Sequence, residues 1–158
     1  MYATLAYVVD GDTIRLTTGA YVRLVQIDAP ETYHEHECYG ERATAALKHL
    51  LPPGTKIRLL ADPRLDRVDQ YGRLLRYVLR ARDGLDTNIA LVREGAAAPY
   101  FYRGARGRFA SLLQSLALRA RARHLGLWGA CPSTGVDFYR GVNSGLEAPS
   151  AKPPAPGR

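Results

Sequence analysis

Alternating hydrophobic and polar positions in the first third of the chain predict β-strands separated by tight turns. Residues 2–9 are rich in β-branched and aromatic side chains, and the dipeptides Asp10-Gly11 and Thr18-Gly19 are typical of turns between strands. Pro30 ends the third of these strands. In all, strands are predicted at residues 2–9, 13–17, 21–27, 56–60 and 74–80.

Apolar residues at helical spacing predict three helices, at residues 39–51, between Thr87 and Gly95, and at residues 108–124. Thr87 is the predicted N-cap of the second helix, and Gly95 supplies its C-terminal stop. The buried face predicted for the third helix consists of Phe109, Leu112, Leu113, Leu116 and Ala120. Three strands, a helix, two strands and then helices favour an α+β domain with a small barrel.

The length and composition of the chain fit one globular domain followed by a tail. The 158 residues are 46% hydrophobic, which is enough to bury a core. Four of the ten prolines fall in residues 146–158, where aliphatic residues are scarce. We therefore predict a domain at residues 1–132 and a loose, Pro-rich tail at residues 133–158, disordered at its end.

The charge of the chain favours polyanionic partners. Lys and Arg number 22 against 15 Asp and Glu, a formal net charge of +7. Acidic membrane surfaces attract the same charge, so charge alone does not select nucleic acid. The N-terminus lacks the basic and long apolar regions of a signal peptide, and no run of 18 apolar residues exists. We expect no membrane span, and the compartment stays open.

The two cysteines, Cys38 and Cys131, are far apart and do not form a CxxC pair. They could form one disulfide in an oxidising compartment or remain two free thiols, and the sequence leaves both states open. A disulfide would agree with a secreted or cell-envelope protein.

Acidic residues converge at one predicted edge of the barrel. Because strands two and three form a hairpin, Asp12 and Asp28 lie toward the same open end, and Glu31 follows shortly after Asp28. Close carboxylates raise one another's pKa unless a cation lies among them. Ca²⁺ accepts a mixture of carboxylate, carbonyl and water ligands, so the cluster suggests a calcium site. The Asp10-Gly11-Asp12 motif alone is more typical of a turn.

Two arginines complete this candidate site. Guanidinium groups match the non-bridging oxygens of a phosphodiester and stay charged at any working pH, which suits Arg23 and Arg73. In a straight strand, however, the five residues from Arg23 to Asp28 span about 16 Å. Convergence of these two side chains therefore requires a strongly coiled strand and the long reach of arginine.

Several ordered motifs together resemble the thermonuclease family, typified by staphylococcal (micrococcal) nuclease, over Tyr7 to Trp128. The motifs are Val9-Asp10-Gly11-Asp12-Thr13, Arg23 through Asp28-Ala29-Pro30-Glu31-Thr32, Tyr39-Gly40-Glu41-Arg42-Ala43, Asp69-Gln70-Tyr71-Gly72-Arg73, Ala90-Leu91-Val92-Arg93-Glu94-Gly95 and Gly126-Leu127-Trp128. The resemblance implies a five-stranded OB-fold β-barrel with three helices.

The resemblance also implies roles for individual residues. Asp12 and Asp28 would bind Ca²⁺ through carboxylates, and Ala29 would offer its main-chain carbonyl. Glu31 would be the general base, or the residue that orients the attacking water. Arg23 and Arg73 would hold the phosphate and stabilise the transition state.

The expected substrates are DNA and RNA, cleaved at the bond to the 5′ oxygen to leave 3′-phosphates. The resemblance implies nucleotide contacts for Tyr71, Tyr100 and Tyr102. Stacking on tyrosine is insensitive to base identity, so we expect little sequence preference and a preference for single-stranded or frayed regions. A monomeric enzyme is expected. Gln70 stands where the staphylococcal enzyme carries a lysine, which predicts weaker contacts to a terminal phosphate.

Other readings of these residues stay open. A non-catalytic nucleic-acid-binding module of the same barrel would explain the fold and the charge, as would a basic protein-interaction domain, but neither requires the acidic and arginine set. His34 and His36 suggest a zinc site, although their spacing differs from the helical HExxH arrangement. Tyr100 and Tyr102 could also be packing residues.

Overall fold

The computed structural model describes residues 1–32 and 36–146 and contains a closed five-stranded barrel. The barrel strands, in chain order, are β1 (Tyr2–Asp10), β2 (Thr13–Leu16), β3 (Tyr21–Leu24), β5 (Lys56–Leu60) and β6 (Leu74–Arg80). They close in the order β1-β2-β3-β6-β5. A separate two-stranded sheet joins β4 (Ile27–Asp28) to β7 (Ala98–Pro99).

Helices pack around this barrel and enclose a single apolar core. They are α1 (Gly40–Leu50), α2 (Thr87–Glu94), α3 (Ala110–Ala122) and the single turn α4 (Leu127–Ala130), with a 3₁₀ turn at Tyr102–Gly104. Leu5, Ile14 and Leu24 of the barrel and Leu91 and Leu113 of the helices are fully buried. The expected five-stranded barrel with helices is confirmed, and α4 is an additional short turn around the buried Trp128.

The predicted third strand, residues 21–27, is wrong as one continuous strand. β3 ends at Leu24, and Gln26 adopts a left-handed backbone conformation with φ of 67°. After this reversal β4 leaves the barrel and pairs with β7, with Asp28 opposite Ala98. Apolar residues continue past Leu24, at Val25 and Ile27, so the sequence is typical of one longer strand.

The ends of two helices differ from the prediction. Asp86, rather than Thr87, caps α2, because the Asp86 carboxylate accepts from the Ile89 N–H at 3.1 Å. Thr87 is buried and donates its hydroxyl to the carbonyl of Val78 in β6. Gly95 does end α2 in the left-handed conformation. In α3, Leu112 is 44% exposed and does not belong to the buried face.

The segment 132–146, predicted as part of a loose tail, is mostly exposed but is held against the domain by a few buried residues. Phe138 is buried in the core cluster, and the Phe101 N–H donates to its carbonyl at 2.8 Å. Residues 147–158 lie outside the described part of the chain. Among the described residues, no helix is long and apolar enough to cross a bilayer.

A disulfide joins Cys38, just before α1, to Cys131, just after α4. It ties the start of the first helix to the beginning of the packed C-terminal segment. This link brings residues 37–38 and residues 131–146 to the same end of the molecule.

Candidate active site

Asp12 lies in the turn between β1 and β2, where its side chain is held on both oxygens. Its Oδ2 accepts from the Ala29 N–H at 2.9 Å, and its Oδ1 accepts from the Thr13 hydroxyl at 3.1 Å. The carbonyl of Asp12 accepts from the Leu24 N–H at 2.8 Å, which fastens this turn to the end of β3. Asp12 is therefore a buried carboxylate of fixed orientation.

The Arg23 guanidinium joins Asp12 to Asp28. Arg23 Nη2 lies 3.3 Å from Asp12 Oδ2 and 3.1 Å from Asp28 Oδ1. Arg23 Nη1 donates to the carbonyls of Leu24 at 2.6 Å and Ile27 at 2.8 Å. The reversal at Gln26 turns these carbonyls and Asp28 back toward Arg23. Arg23 and Asp28 are therefore in contact and not separated as they would be in a straight strand.

The burial of this cluster determines its electrostatics. Burial, reinforced by the negative charge of Asp12, raises the pKa of Asp28 to about 7. Burial and repulsion from Asp12 also raise the pKa of Asp10 to about 7. Burial alone would raise the pKa of Asp12, but Arg23 and the Ala29 N–H together lower it below its usual value. Three carboxylates thus share the charge of Arg23, and the cluster favours an additional cation.

The donor set fits a hard divalent cation. Asp12 and Asp28 present oxygens within 3.3 Å of the same Arg23 nitrogen, and oxygen is the ligand that Ca²⁺ prefers. Within residues 1–32 and 36–146, no group of three or more His, Cys, Asp or Glu side chains is arranged to hold a metal ion. Backbone carbonyls and water would have to complete the coordination shell, as Ca²⁺ commonly allows.

Arg73 is held by a turn between residues 69 and 73, just before β6. Asp69 accepts from the backbone N–H groups of Tyr71 and Arg73, each at 2.9 Å, and from Arg73 Nε at 2.6 Å. Gly72 takes a φ of +80°, which this tight turn requires. The Arg73 guanidinium lies 5.4 Å from the centroid of the Tyr71 ring.

Gln26 fixes the loop that carries the other two tyrosines. Its carbonyl accepts from the Tyr100 N–H, its Nε2 donates to the carbonyl of Ala105, and its Oε1 accepts from the Gly107 N–H, at distances of 2.8 to 3.0 Å. The rings of Tyr100 and Tyr102 meet edge to face, with centroids 6.1 Å apart. Gln26 thus joins the reversal after β3 to the aromatic loop.

One open cavity of about 420 Å³ contains five of the sequence-predicted site residues. Its lining includes Arg23, Tyr71, Arg73, Tyr100 and Tyr102. Asp12 and Asp28 are outside this lining and contact it through Arg23. The cavity therefore combines two guanidinium groups with three phenol rings in front of a pair of carboxylates.

Glu31 follows Ala29 by two residues, just after β4. Ala29 contacts Asp12 through its N–H. Glu31 is exposed, its backbone N–H donates to Glu37 Oε1, and its Oε1 accepts from the Thr32 N–H at 3.1 Å. His36 is exposed, and His34 lies outside the described residues.

Sequence reasoning missed four contributors to the site. The Asp10-Gly11-Asp12 motif is typical of a turn, yet the partly buried Asp10 carboxylate belongs to this cluster. Gln26 gave no signal because its role depends on a backbone reversal. Val142 lies in the predicted tail, and its N–H donates to Asp28 Oδ2 at 2.8 Å. Glu37 lies in the loop before α1, and its Oε2 accepts from the Ser144 N–H.

Comparison with known proteins shows which family and which relatives the chain is similar to. A family model described as staphylococcal nuclease homologue matches residues 21–130, a range that begins after Asp12. The chain is 40% identical over 106 residues to endonuclease YhcR of Bacillus subtilis (strain 168), covering 60% of this chain and 8% of that protein.

Two further relatives come from the same organism. The SPbeta prophage-derived endonuclease YokF is 35% identical over 146 residues, which is 89% of this chain and 47% of YokF. Endonuclease YncB is 32% identical over 146 residues, which is 89% of this chain and 66% of YncB. The chain thus spans less than two thirds of the length of each of these three relatives.

The raised pKa of Asp28 predicts an unusual pH dependence of stability in chelated protein. Because the folded state binds the Asp28 proton more tightly than the unfolded state, stability should fall as pH rises from about 4 to about 7. Asp28→Asn should reduce this pH-dependent decrease in the free energy of unfolding by on the order of 2 kcal/mol. The decrease caused by Asp10 should remain. Urea unfolding between pH 5 and pH 8, with chelator present, measures the effect. Equal pH slopes for the variant and the wild type would contradict it.

Proposed function

The chain belongs to the staphylococcal nuclease family, and we propose that it is a Ca²⁺-dependent endonuclease that hydrolyses phosphodiester bonds of DNA and RNA. The observation that carries this proposal is the contact of Arg23 with both Asp12 and Asp28 at the edge of a cavity that also contains Arg73. A bridging phosphodiester has the charge and the shape for such a cavity.

The two arginines bind and orient the phosphate. Both lie on the parallel pair β3 and β6, because Arg23 belongs to β3, opposite Leu75, and Arg73 immediately precedes β6. Negative charge accumulates on the non-bridging oxygens as water attacks, and fixed guanidinium donors stabilise that charge. Asp69 keeps Arg73 in place through its backbone and side-chain contacts.

Asp12 and Asp28 hold the cation in this proposal, together with the carbonyl of Ala29. Bound Ca²⁺ would polarise the phosphoryl group and lower the pKa of a nearby water. Glu31 accepts a proton from the attacking water or orients that water, which suits its exposed position just beyond Asp28. The bond to the 5′ oxygen breaks, and a 3′-phosphate remains on the product.

Tyr71, Tyr100 and Tyr102 bind the bases or sugars on either side of the phosphate. Every base offers a face for stacking, so sequence specificity is low and single-stranded or frayed regions are preferred. The net charge of +7 strengthens binding to any nucleic acid. The active species is a monomer, because one chain supplies all of these groups.

The alternative is a nucleic-acid-binding module of the same barrel without catalysis. That function would use the basic surface and the exposed tyrosines but would have no need for a buried carboxylate pair bridged by arginine. Burial of these charges lowers the free energy of unfolding, and a catalytic role gives a reason for keeping them, so we favour the enzyme.

Cleavage of a labelled oligonucleotide with and without Ca²⁺ tests the proposed reaction. With Ca²⁺, single-stranded DNA and RNA should be cut internally to fragments that end in 3′-phosphates, and excess EGTA should stop the reaction. Release of phosphate by a 3′-specific phosphatase, together with free 5′-hydroxyl ends, identifies the bond that breaks. Salt-sensitive binding without cleavage under any divalent ion would instead favour the binding module.

Replacement of Arg73 tests the role of the cavity arginines. Arg73→Ala should lower kcat by about 10²–10³-fold, because a fixed cationic donor to the transition state is lost. Arg82→Ala is the matched control, since Arg82 is an exposed arginine just beyond the other end of β6. Single-turnover cleavage measures both variants, and circular dichroism shows that each is folded. Wild-type turnover for Arg73→Ala would remove Arg73 from the site.

A further inference from the structure

The C-terminal strap, defined as residues 138–146, contacts the acidic side of the candidate site. It lies beyond residues 21–130, the range that matches the family model. The Val142 N–H donates to Asp28 Oδ2 at 2.8 Å. Asp28 Oδ1 contacts Arg23, so two groups from different parts of the chain fix the two oxygens of this carboxylate.

The strap is anchored on both sides of that contact. Before it, Phe138 is 6% exposed, and the Tyr139 ring lies 5.4 Å from the Phe101 ring. After it, Ser144 is 3% exposed and donates its hydroxyl to the carbonyl of Cys38 at 2.7 Å. These anchors leave Val142 little freedom to move away from Asp28.

The strap also contacts the loop that carries Glu31. Glu37 Oε1 accepts from the Glu31 N–H at 3.0 Å, and Glu37 Oε2 accepts from the Ser144 N–H at 3.4 Å. The Cys38 N–H donates to the carbonyl of Gly145 at 2.8 Å. One segment therefore contacts Asp28 directly and the backbone of Glu31 through Glu37.

A glycine allows this close approach. A Cβ atom at Gly141 would lie 2.9 Å from Asp28 Oδ2 and 3.7 Å from the Tyr100 ring, and Gly141 has a φ of +81°. Gly145 has nearly the same backbone conformation, with a φ of +79°, but a Cβ there would meet nothing within 4 Å. The two glycines share the backbone constraint, and only Gly141 combines it with a contact to the carboxylate.

We propose that the C-terminal strap is a positioning element of the metal site, in which the Val142 N–H orients the Asp28 carboxylate for Ca²⁺. A carboxylate oxygen has room for both a hydrogen bond and a cation, so the contact directs Asp28 without occupying its binding capacity. Groups that orient a metal ligand in this way commonly change metal affinity by 10–100-fold when they are removed. This inference rests on the proposed function for the identity of the cation.

Calorimetric titration of the full chain with Ca²⁺ tests the effect on affinity. Gly141→Ala should weaken Ca²⁺ binding at least about tenfold relative to Gly145→Ala, which carries a similar backbone penalty without the clash. Excess Ca²⁺ should restore the cleavage rate of Gly141→Ala. If the variant were simply unfolded, excess Ca²⁺ would not restore this rate. Equal Ca²⁺ affinity for the two variants, or tighter binding by Gly141→Ala, would overturn the proposal.

Amide hydrogen exchange in chelated protein tests the contact itself. Asp28→Ala removes the acceptor, so the Val142 amide should exchange about tenfold faster, as expected for loss of a partly buried hydrogen bond. The Phe101 amide, which donates to the Phe138 carbonyl, should keep its rate because the anchor stays in place. An unchanged Val142 rate would overturn the strap contact. A wild-type chain that binds no Ca²⁺ would contradict the proposed metal dependence, while the exchange rates would still decide the contact.

Discussion

The burial of Asp12 and Asp28 around one arginine is the interaction on which the rest of the site depends. Removing carboxylates from water costs free energy, and the Arg23 guanidinium offsets this cost at 3.3 and 3.1 Å from their oxygens. The offset is incomplete, because burial and mutual repulsion raise the pKa of Asp28 to about 7. Backbone N–H groups reduce the remaining cost without removing it, from Ala29 to Asp12 and from Val142 to Asp28. A site with this residual demand for positive charge is suited to a cation and to a phosphate-binding arginine pair.

Much of the fold could be predicted from the sequence, because hydrophobic periodicity and turn residues report local structure directly. The barrel strands and the three longer helices lie close to their predicted positions, and Gly95 ends α2 as expected. The third strand was wrong beyond Leu24 because the reversal at Gln26 depends on tertiary contacts. The Gln26 side chain bonds to Ala105 and Gly107, about eighty positions later, which no local pattern encodes.

The candidate site was predictable in its residue types but not in its construction. The carboxylates and arginines can be identified because a binding module or an interaction domain would not require them together. Their ordered motifs also resemble a known family. Backbone donors have no sequence signature, since any residue except proline carries an N–H, and so Val142 could not be found. The composition after Cys131 resembles a tail, yet Phe138 and Ser144 bury themselves against the aromatic loop and Cys38. A few buried residues are enough to hold a segment that is mostly exposed.

A crystal structure of the protein grown with Ca²⁺ and a non-hydrolysable single-stranded oligonucleotide would test the central claim most directly. The expected result is a cation bound by oxygens of both Asp12 and Asp28, with one phosphate of the bound strand contacting Arg23 and Arg73. A cation bound elsewhere on the chain, or a strand whose phosphates contact neither arginine, would contradict a metal-dependent phosphodiesterase site in this cavity.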